Sequence, residues 1–315
     1  MISFLKKLFG VNTATLQQNA LAVETPSAPE KPPLGELATL PLEDRCNEVI
    51  SSAEAWPPSP QIAVGWGQSV GRQREQNEDS IFVLSTMLMT NNTQTPFGFF
   101  IIADGMGGHQ HGEIASGLAV RALSTHVLRK LYLPLFNANP EPPDQSLQEI
   151  LEDGIYEAHR TIIKSFPGSG TTLTAALIMG EQMTLTHVGD SRAYLFPANS
   201  PGQVLTRDHS LVKRLEELGQ ITAEEAVQHP QRNVLYRALG QGEPFEPDVS
   251  TFPLPHHGHL LLCSDGLWGV IPEKEIMAII CSTPDLHPAC QALLDAANAA
   301  GGPDNISAIL LRLTN

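Results

Sequence analysis

The chain has 315 residues, 42% of them hydrophobic and 17% charged, a balance that supports a sizeable core and excludes global disorder. With 34 acidic against 19 basic residues the formal net charge is −15. This argues against nucleic acid as a partner, because phosphate backbones call for clustered Lys and Arg. Cys46, Cys263, Cys281 and Cys290 form no Cys-x-x-Cys pair, so neither a zinc ligand set nor a disulfide frame is expected, and a reduced, cytoplasmic setting is.

The opening MISFLKKLFG is interrupted by Lys6-Lys7 and is a poor signal peptide. Its Ile2, Phe4, Leu5, Leu8 and Phe9 leave two readings for residues 1–10, a short anchor on a membrane surface or a frayed terminus. No apolar run approaches the roughly 18–20 residues of a spanning helix, so no transmembrane segment is expected. From about residue 20 to residue 60 prolines recur among Glu, Ser and Ala, and residues 1–58 read as a mostly disordered Pro-rich arm, with one short helix in Leu37–Ala55 as an option. Residues 59–315 read as the folded domain.

Within that domain strands are predicted at Gln61–Gly67, Ser80–Leu84, Phe97–Ala103, Thr171–Met179, Met183–Val188, Ala193–Phe196, His259–Cys263 and Ile306–Leu313. Helices are predicted at Glu113–Leu131 and Ser146–Ser165, the second opening on a capping box of Ser146 with Glu149. Shorter helices follow at Leu211–Leu218, Thr222–Val227 (a second capping box, with Glu225), Pro272–Ile280 and His287–Ala300. Strands and helices come in blocks rather than in strict alternation, which favours an α+β layered fold over a doubly wound parallel sheet.

Five acids share a setting. Asp79, Asp104, Asp265 and Asp304 sit at predicted strand ends beside small or turn-forming residues, and Asp190 lies between two strands in Val188-Gly-Asp-Ser-Arg192. One such Asp serves well as a turn or cap. Several together suggest cation ligands, since gathered carboxylates repel unless a cation neutralises them. Oxygen donors suit Mg²⁺ or Mn²⁺, and two such ions about 3.5–4 Å apart share a water and lower its pKa. Gly105, after Asp104, would let its carbonyl approach an ion unhindered. Arg74, five residues before Asp79, is either a surface residue in a polar turn or a fork for a phosphate.

Three other signals are discounted. Gly168-Ser-Gly-Thr-Thr172 lacks the Lys of a phosphate-binding loop, Ser191 lacks the final Gly of a nucleophile elbow, and His256, His257 and His259 suit a solvated loop. Trp66 and Trp268 read as packing residues.

Taken in order, several segments resemble the metal-dependent Ser/Thr protein phosphatases, the PPM or type 2C family, in its bacterial form. They are Gly71-x-x-Arg-x-x-Asn-Glu-Asp79, Asp104-Gly-Met-Gly-Gly-His-x-x-Gly-Glu113, Gly170-Thr-Thr-Leu-Thr-Ala175 and Val188-Gly-Asp-Ser-Arg-Ala-Tyr194. Thr206-x-Asp-His-Ser210, His229-Pro-x-x-Asn-Val-Leu-x-Arg-Ala-Leu-Gly240, Ser264-Asp-Gly-Leu-Trp268 and Gly302-Pro-Asp-Asn-Ile306 complete the set.

The resemblance implies a central sandwich of two antiparallel sheets with helices on both outer faces and a binuclear Mn²⁺ or Mg²⁺ site at one end. It implies that Asp79 bridges the ions, that Glu78 holds metal-bound water, and that Asp104 bridges or ligates with the Gly105 carbonyl beside it. Asp265 and Asp304 would complete the other ion, Asp190 would hold a third, and Arg74 would bind phosphate. Residues from about Leu211 to Asn233 match a variable flap. The implied reaction is hydrolysis of phosphoserine and phosphothreonine in proteins by a hydroxide bridging the two ions, opposing Ser/Thr kinases in bacterial signalling. Met106 stands where some eukaryotic members carry a proton-donating His, so the general acid is unassigned, with metal-bound water or His109 as candidates. A regulatory phosphoprotein-binding module on the same scaffold is the alternative, and the complete acid set favours the enzyme.

Overall fold

The computed structural model describes residues 61–90, 93–106, 111–136, 143–197, 201–242, 245–255 and 257–314. The predicted arm of residues 1–58, the helix option within it, His109 and His256 lie outside the described residues. Eleven strands are described: β1 Gln61–Ser69, β2 Asp79–Thr90, β3 Thr93–Met106, β4 Gly170–Thr171, β5 Leu173–Met179, β6 Gln182–Val188, β7 Arg192–Pro197, β8 Gln203–Val204, β9 Asp248–Pro253, β10 His257–Cys263 and β11 Ile306–Thr314. The α-helices are α1 Gly112–Val127, α2 Leu147–Ser165, α3 Leu211–Glu217, α4 Ala223–Gln228, α5 Asp265–Trp268, α6 Glu273–Ser282 and α7 Leu286–Ala299. None is long and apolar enough to cross a membrane.

The strands form two antiparallel sheets, in the orders β1-β11-β10-β7-β8 and β2-β3-β5-β6-β9, with β4 added beside β3. Alternation along the strands builds the layers. In β11, Ile309, Leu311 and Leu313 join Phe100, Ile102, Leu260 and Leu262 between the sheets. Ile306, Ala308 and Leu310 point the other way, into a second core with Cys290, Leu293 and Leu294 of α7. On the far side α1 packs on β2, β3 and α2. Both capping boxes form, Ser146 with Glu149 and Thr222 with Glu225. The expected α+β sandwich, helices outside both sheets, is the observed fold.

Several boundaries differ from expectation. β2 continues to Thr90 because it pairs in register with β3 along its whole length, Asp79 opposite Asp104 and Thr90 opposite Thr93. α1 stops at Val127 and a π-helical turn, Leu128–Tyr132, follows. β9 was not expected: Pro247 precedes it and Pro253 ends it, and it is tolerated as an edge strand that among the described residues pairs with β6 alone.

Candidate metal and phosphate site

Every candidate acid falls at one end of the sandwich. β2 begins at Asp79, β3 ends two residues past Asp104, β10 ends just before Asp265, β11 begins just after Asp304, and Asp190 occupies the β6–β7 turn. Asp79 and Asp104 are direct cross-strand partners. Gly105 donates its N–H to the Glu78 carbonyl at 3.1 Å, which puts the two aspartates in a non-hydrogen-bonded pair, the closer kind, with both side chains on one face.

The backbone around them is tightly tied. Asp104 donates its N–H to Thr172 Oγ1 (2.9 Å), and its carbonyl accepts from the Thr172 N–H (2.9 Å) and the Thr171 hydroxyl (2.8 Å). A Cβ on Gly105 would lie 2.2 Å from the Gly112 carbonyl oxygen, so only glycine fits there. The loop carrying Arg74 is anchored by Asn305, whose Oδ1 accepts the Glu78 N–H (2.8 Å) and whose Nδ2 donates to the carbonyls of Val70 (2.9 Å) and Gln76 (2.8 Å). Arg74 itself is half-exposed and pairs with Asp304 at 2.8 Å.

The acids enclose a cleft of about 230 Å³ lined by Asp104, Asp190, Asp265 and Asp304, together with Glu78, Gly105 and Arg74. Asp79 is only 7% exposed and lies behind this lining. Its Oδ2 accepts the Ser264 hydroxyl at 2.8 Å, and Ser264 is itself held by the Ser307 N–H at 2.9 Å.

Crowding perturbs each group. Burial, then the charges of Asp79, Asp265, Asp190 and Asp304, holds Asp104 well above the usual carboxylate range. Burial, with Asp265 and Asp304 nearby, pushes Asp79 up to about 7 despite the Ser307 and Ser264 hydroxyls. Burial and Asp304 raise Asp265 to about 6. Asp190 is raised by burial, Asp265 and Asp208, with Arg192 opposing. Glu78 is raised too, by burial first, with Arg74 opposing.

Asp79 Oδ1 and Asp265 Oδ1 are buried with no hydrogen-bond partner. Buried polar atoms are normally paired, and carboxylates this close repel. A hard divalent cation answers both conditions, so the donor set fits Mg²⁺ or Mn²⁺. Among the described residues no group of three or more His, Cys, Asp or Glu side chains is close enough as placed to hold an ion; ions that keep water in several positions need fewer protein donors.

A family model for protein phosphatase 2C matches residues 65–306. The chain belongs to this family. As a protein phosphatase of the 2C type, it is 38% identical over 247 residues to the serine/threonine phosphatase stp of Listeria welshimeri, which covers 76% of this chain and 92% of that one. The solved structure of the Mycobacterium tuberculosis serine/threonine phosphatase PstP/Ppp aligns with a TM-score of 0.66 at 30% identity, covering 81% of this chain and all of that one. A PstP catalytic domain in complex with two manganese ions aligns with the same TM-score at 28% identity, over 82% of this chain and 100% of its own.

Against the phosphatase fold, three supporting residues emerge that sequence reasoning left without a role. Ser264 links Asp79 to β11, and Asn305 clamps the Arg74 loop. Trp268, read as packing, donates its indole N–H to the Asp190 carbonyl at 3.0 Å while the Arg192 guanidinium lies 3.4 Å over its ring. Ser264 and Asn305 adjoin Asp265 and Asp304 in the chain, which was the available signal; Trp268 adjoins no acid. Ser191 is fully buried with its hydroxyl on Thr172, as suits a brace rather than a nucleophile. His257 and His259 lie in β10. Met106 lines the cleft, and its thioether can neither give nor take a proton.

Proposed function

We propose that this phosphatase hydrolyses phosphoserine and phosphothreonine in proteins, opposing Ser/Thr kinases in the cytoplasm. The observation that carries the reading is the convergence of five aspartates, two with unpartnered buried oxygens, beside a guanidinium at the rim. Asp79, Asp104, Asp265 and Asp304, with the Gly105 carbonyl, would hold two ions, and Asp190 would hold a third. When bound, Mn²⁺ or Mg²⁺ would lower the pKa of a water toward neutral and bring positive charge to the phosphate oxygens.

Asp104 and Asp79 would both serve the ions, from different positions. Asp104 faces the cleft, whereas Asp79 sits behind it with one oxygen already engaged by Ser264. The other oxygen of Asp79, buried without a hydrogen-bond partner, would complete the surroundings of the ions, and Glu78 would orient water at the rim. Arg74 bonds Asp304 through one amino group, leaving further N–H donors to take phosphate oxygens by paired bonds. Residues 59–315 suffice for this chemistry, and the segment 211–233 shapes access to it.

Phosphate release from a phosphothreonine peptide and from p-nitrophenyl phosphate tests the reading. Activity is expected with Mn²⁺ or Mg²⁺ and is expected to vanish with chelator. Wild-type protein that stays inert across metals and pH would overturn it.

A further inference from the structure

The turn that carries Asp190 and the segment that faces it across the cleft are joined through one residue, by its side chain and its backbone. His209 is 1% exposed. Its Nδ1 accepts the Gly189 N–H at 3.1 Å, so the ring proton sits on Nε2, which donates to Asp248 Oδ2 at 3.1 Å. Arg237 Nη1 donates to Asp248 Oδ1 at 2.9 Å. Its 3.2 Å approach to His209 Nε2 brings two donors together, and the shared Asp248 carboxylate makes that approach tolerable.

The backbone of His209 binds the same partners. Its N–H donates to the Gly189 carbonyl at 2.7 Å, and its carbonyl accepts the Tyr236 N–H at 2.9 Å. Ser210 pairs with Leu235, and Leu211 donates to the Val234 carbonyl at 2.8 Å, zipping the two ends of segment 211–235 together. No residue of α3 or α4 within the segment is buried, so beyond the ion pair of Arg207 with Glu217 its placement depends on this base. Asn233 and Leu235 line the acid cleft. A second cavity of about 430 Å³ runs from Asp190 and Asp265 along Val212, Ala226 and Val227 of the segment. On the other side, Gly189 packs on Thr172, whose hydroxyl accepts the Asp104 N–H.

We propose that His209 is a positioning residue for polypeptide substrate. Its imidazole fixes the base of segment 211–235 against the Asp190 turn, so that the wall beside the phosphate site meets the chain flanking the phosphorylated residue. This rests on the phosphatase reading. A small phosphate ester in the acid cleft meets only Asn233 and Leu235 of that wall; a phosphopeptide also runs along Val212, Ala226 and Val227.

The test uses the full chain with His209→Ala, His209→Asn and Asp248→Ala. Asn keeps an acceptor near the Nδ1 position without reaching Asp248. Kinetics on a phosphothreonine peptide and on p-nitrophenyl phosphate are compared, and amide exchange is followed in ion-free protein at Gly189, Leu211 and Tyr236. For His209→Ala the peptide KM is expected to rise about tenfold, with a much smaller change on the ester, and the three amides to exchange about tenfold faster together. His209→Asn should restore Gly189 protection and most of the peptide KM, and Asp248→Ala should show the same changes in smaller measure. If His209→Ala does not fold, the other two variants carry the test by the same criteria. Equal losses on both substrates, or faster exchange at Gly189 alone, would overturn the proposal. A wild-type protein without hydrolysis would overturn the phosphatase reading instead, and the exchange data would still decide whether His209 holds the segment.

Discussion

Replacing Asp79 by Asn should stabilise the ion-free protein, although it removes a central residue of the site. In the fold Asp79 has its pKa raised from the ordinary 3.8 to about 7, chiefly by burial. A folded pKa above the unfolded one leaves no penalty below pH 3.8 and an increasing one as pH rises toward 7. Above pH 7 the ionised carboxyl destabilises the fold by about 4 kcal/mol. Asn carries no charge, and its side-chain carbonyl can still accept the Ser264 hydroxyl. At pH 8 with chelator, Asp79→Asn should therefore melt higher by roughly 10 °C for a domain of this size. By pH 5 the gap should fall to less than half its pH 8 value. With saturating Mn²⁺ the order should reverse, because the wild type gains the ion's binding energy and the variant loses much of it. Thermal melts at pH 5 and 8, with and without Mn²⁺, measure all of this. An ion-free variant no more stable than wild type at pH 8, or a gap independent of pH, would refute the claim that repulsion and burial load this cluster.

Further expectations follow from the same geometry. Asp265→Asn should bring turnover to background and weaken Mn²⁺ binding while the circular dichroism spectrum stays native; near-normal turnover would remove Asp265 from the ligand set. Because Asp79 titrates near 7 in ion-free protein, Mn²⁺ affinity should fall about tenfold between pH 8 and pH 6. Calorimetry in buffers of different ionisation enthalpy should show proton release at pH 6 that fades above pH 8. Gly71→Ala places a Cβ 2.2 Å from the Asp304 carbonyl at φ +82, so it should cost about 1–3 kcal/mol and raise KM through the displaced Arg74 loop, as melts and kinetics would show. Deleting residues 1–58 should leave p-nitrophenyl phosphate turnover within about twofold of the full chain, and a large loss would make the arm part of the catalytic unit.

The layers of the fold were legible because its signals are local. Alternation in β11 and the Ser146–Glu149 and Thr222–Glu225 boxes depend on residues a few positions apart, and each formed as read. β9 was hidden because its register is set by β6 across the edge of the sheet and proline both precedes it and ends it. In the site, the aspartates announced themselves by their place beside small or turn-forming residues at strand ends. The hydroxyl of Ser264, which reaches Asp79 from 185 residues away along the chain, and the Asn305 clamp, 227 residues from Glu78, depend on tertiary proximity that spacing does not encode. The same holds for His209, whose partners Gly189, Tyr236 and Asp248 come from three separate segments.

The most direct measurement is anomalous diffraction at the manganese edge from crystals grown with Mn²⁺. The account predicts at least two peaks inside the cleft, within direct ligand distance of Asp104, Asp265 and Asp304. A cleft without anomalous density, or ions held only at other surfaces, would contradict it.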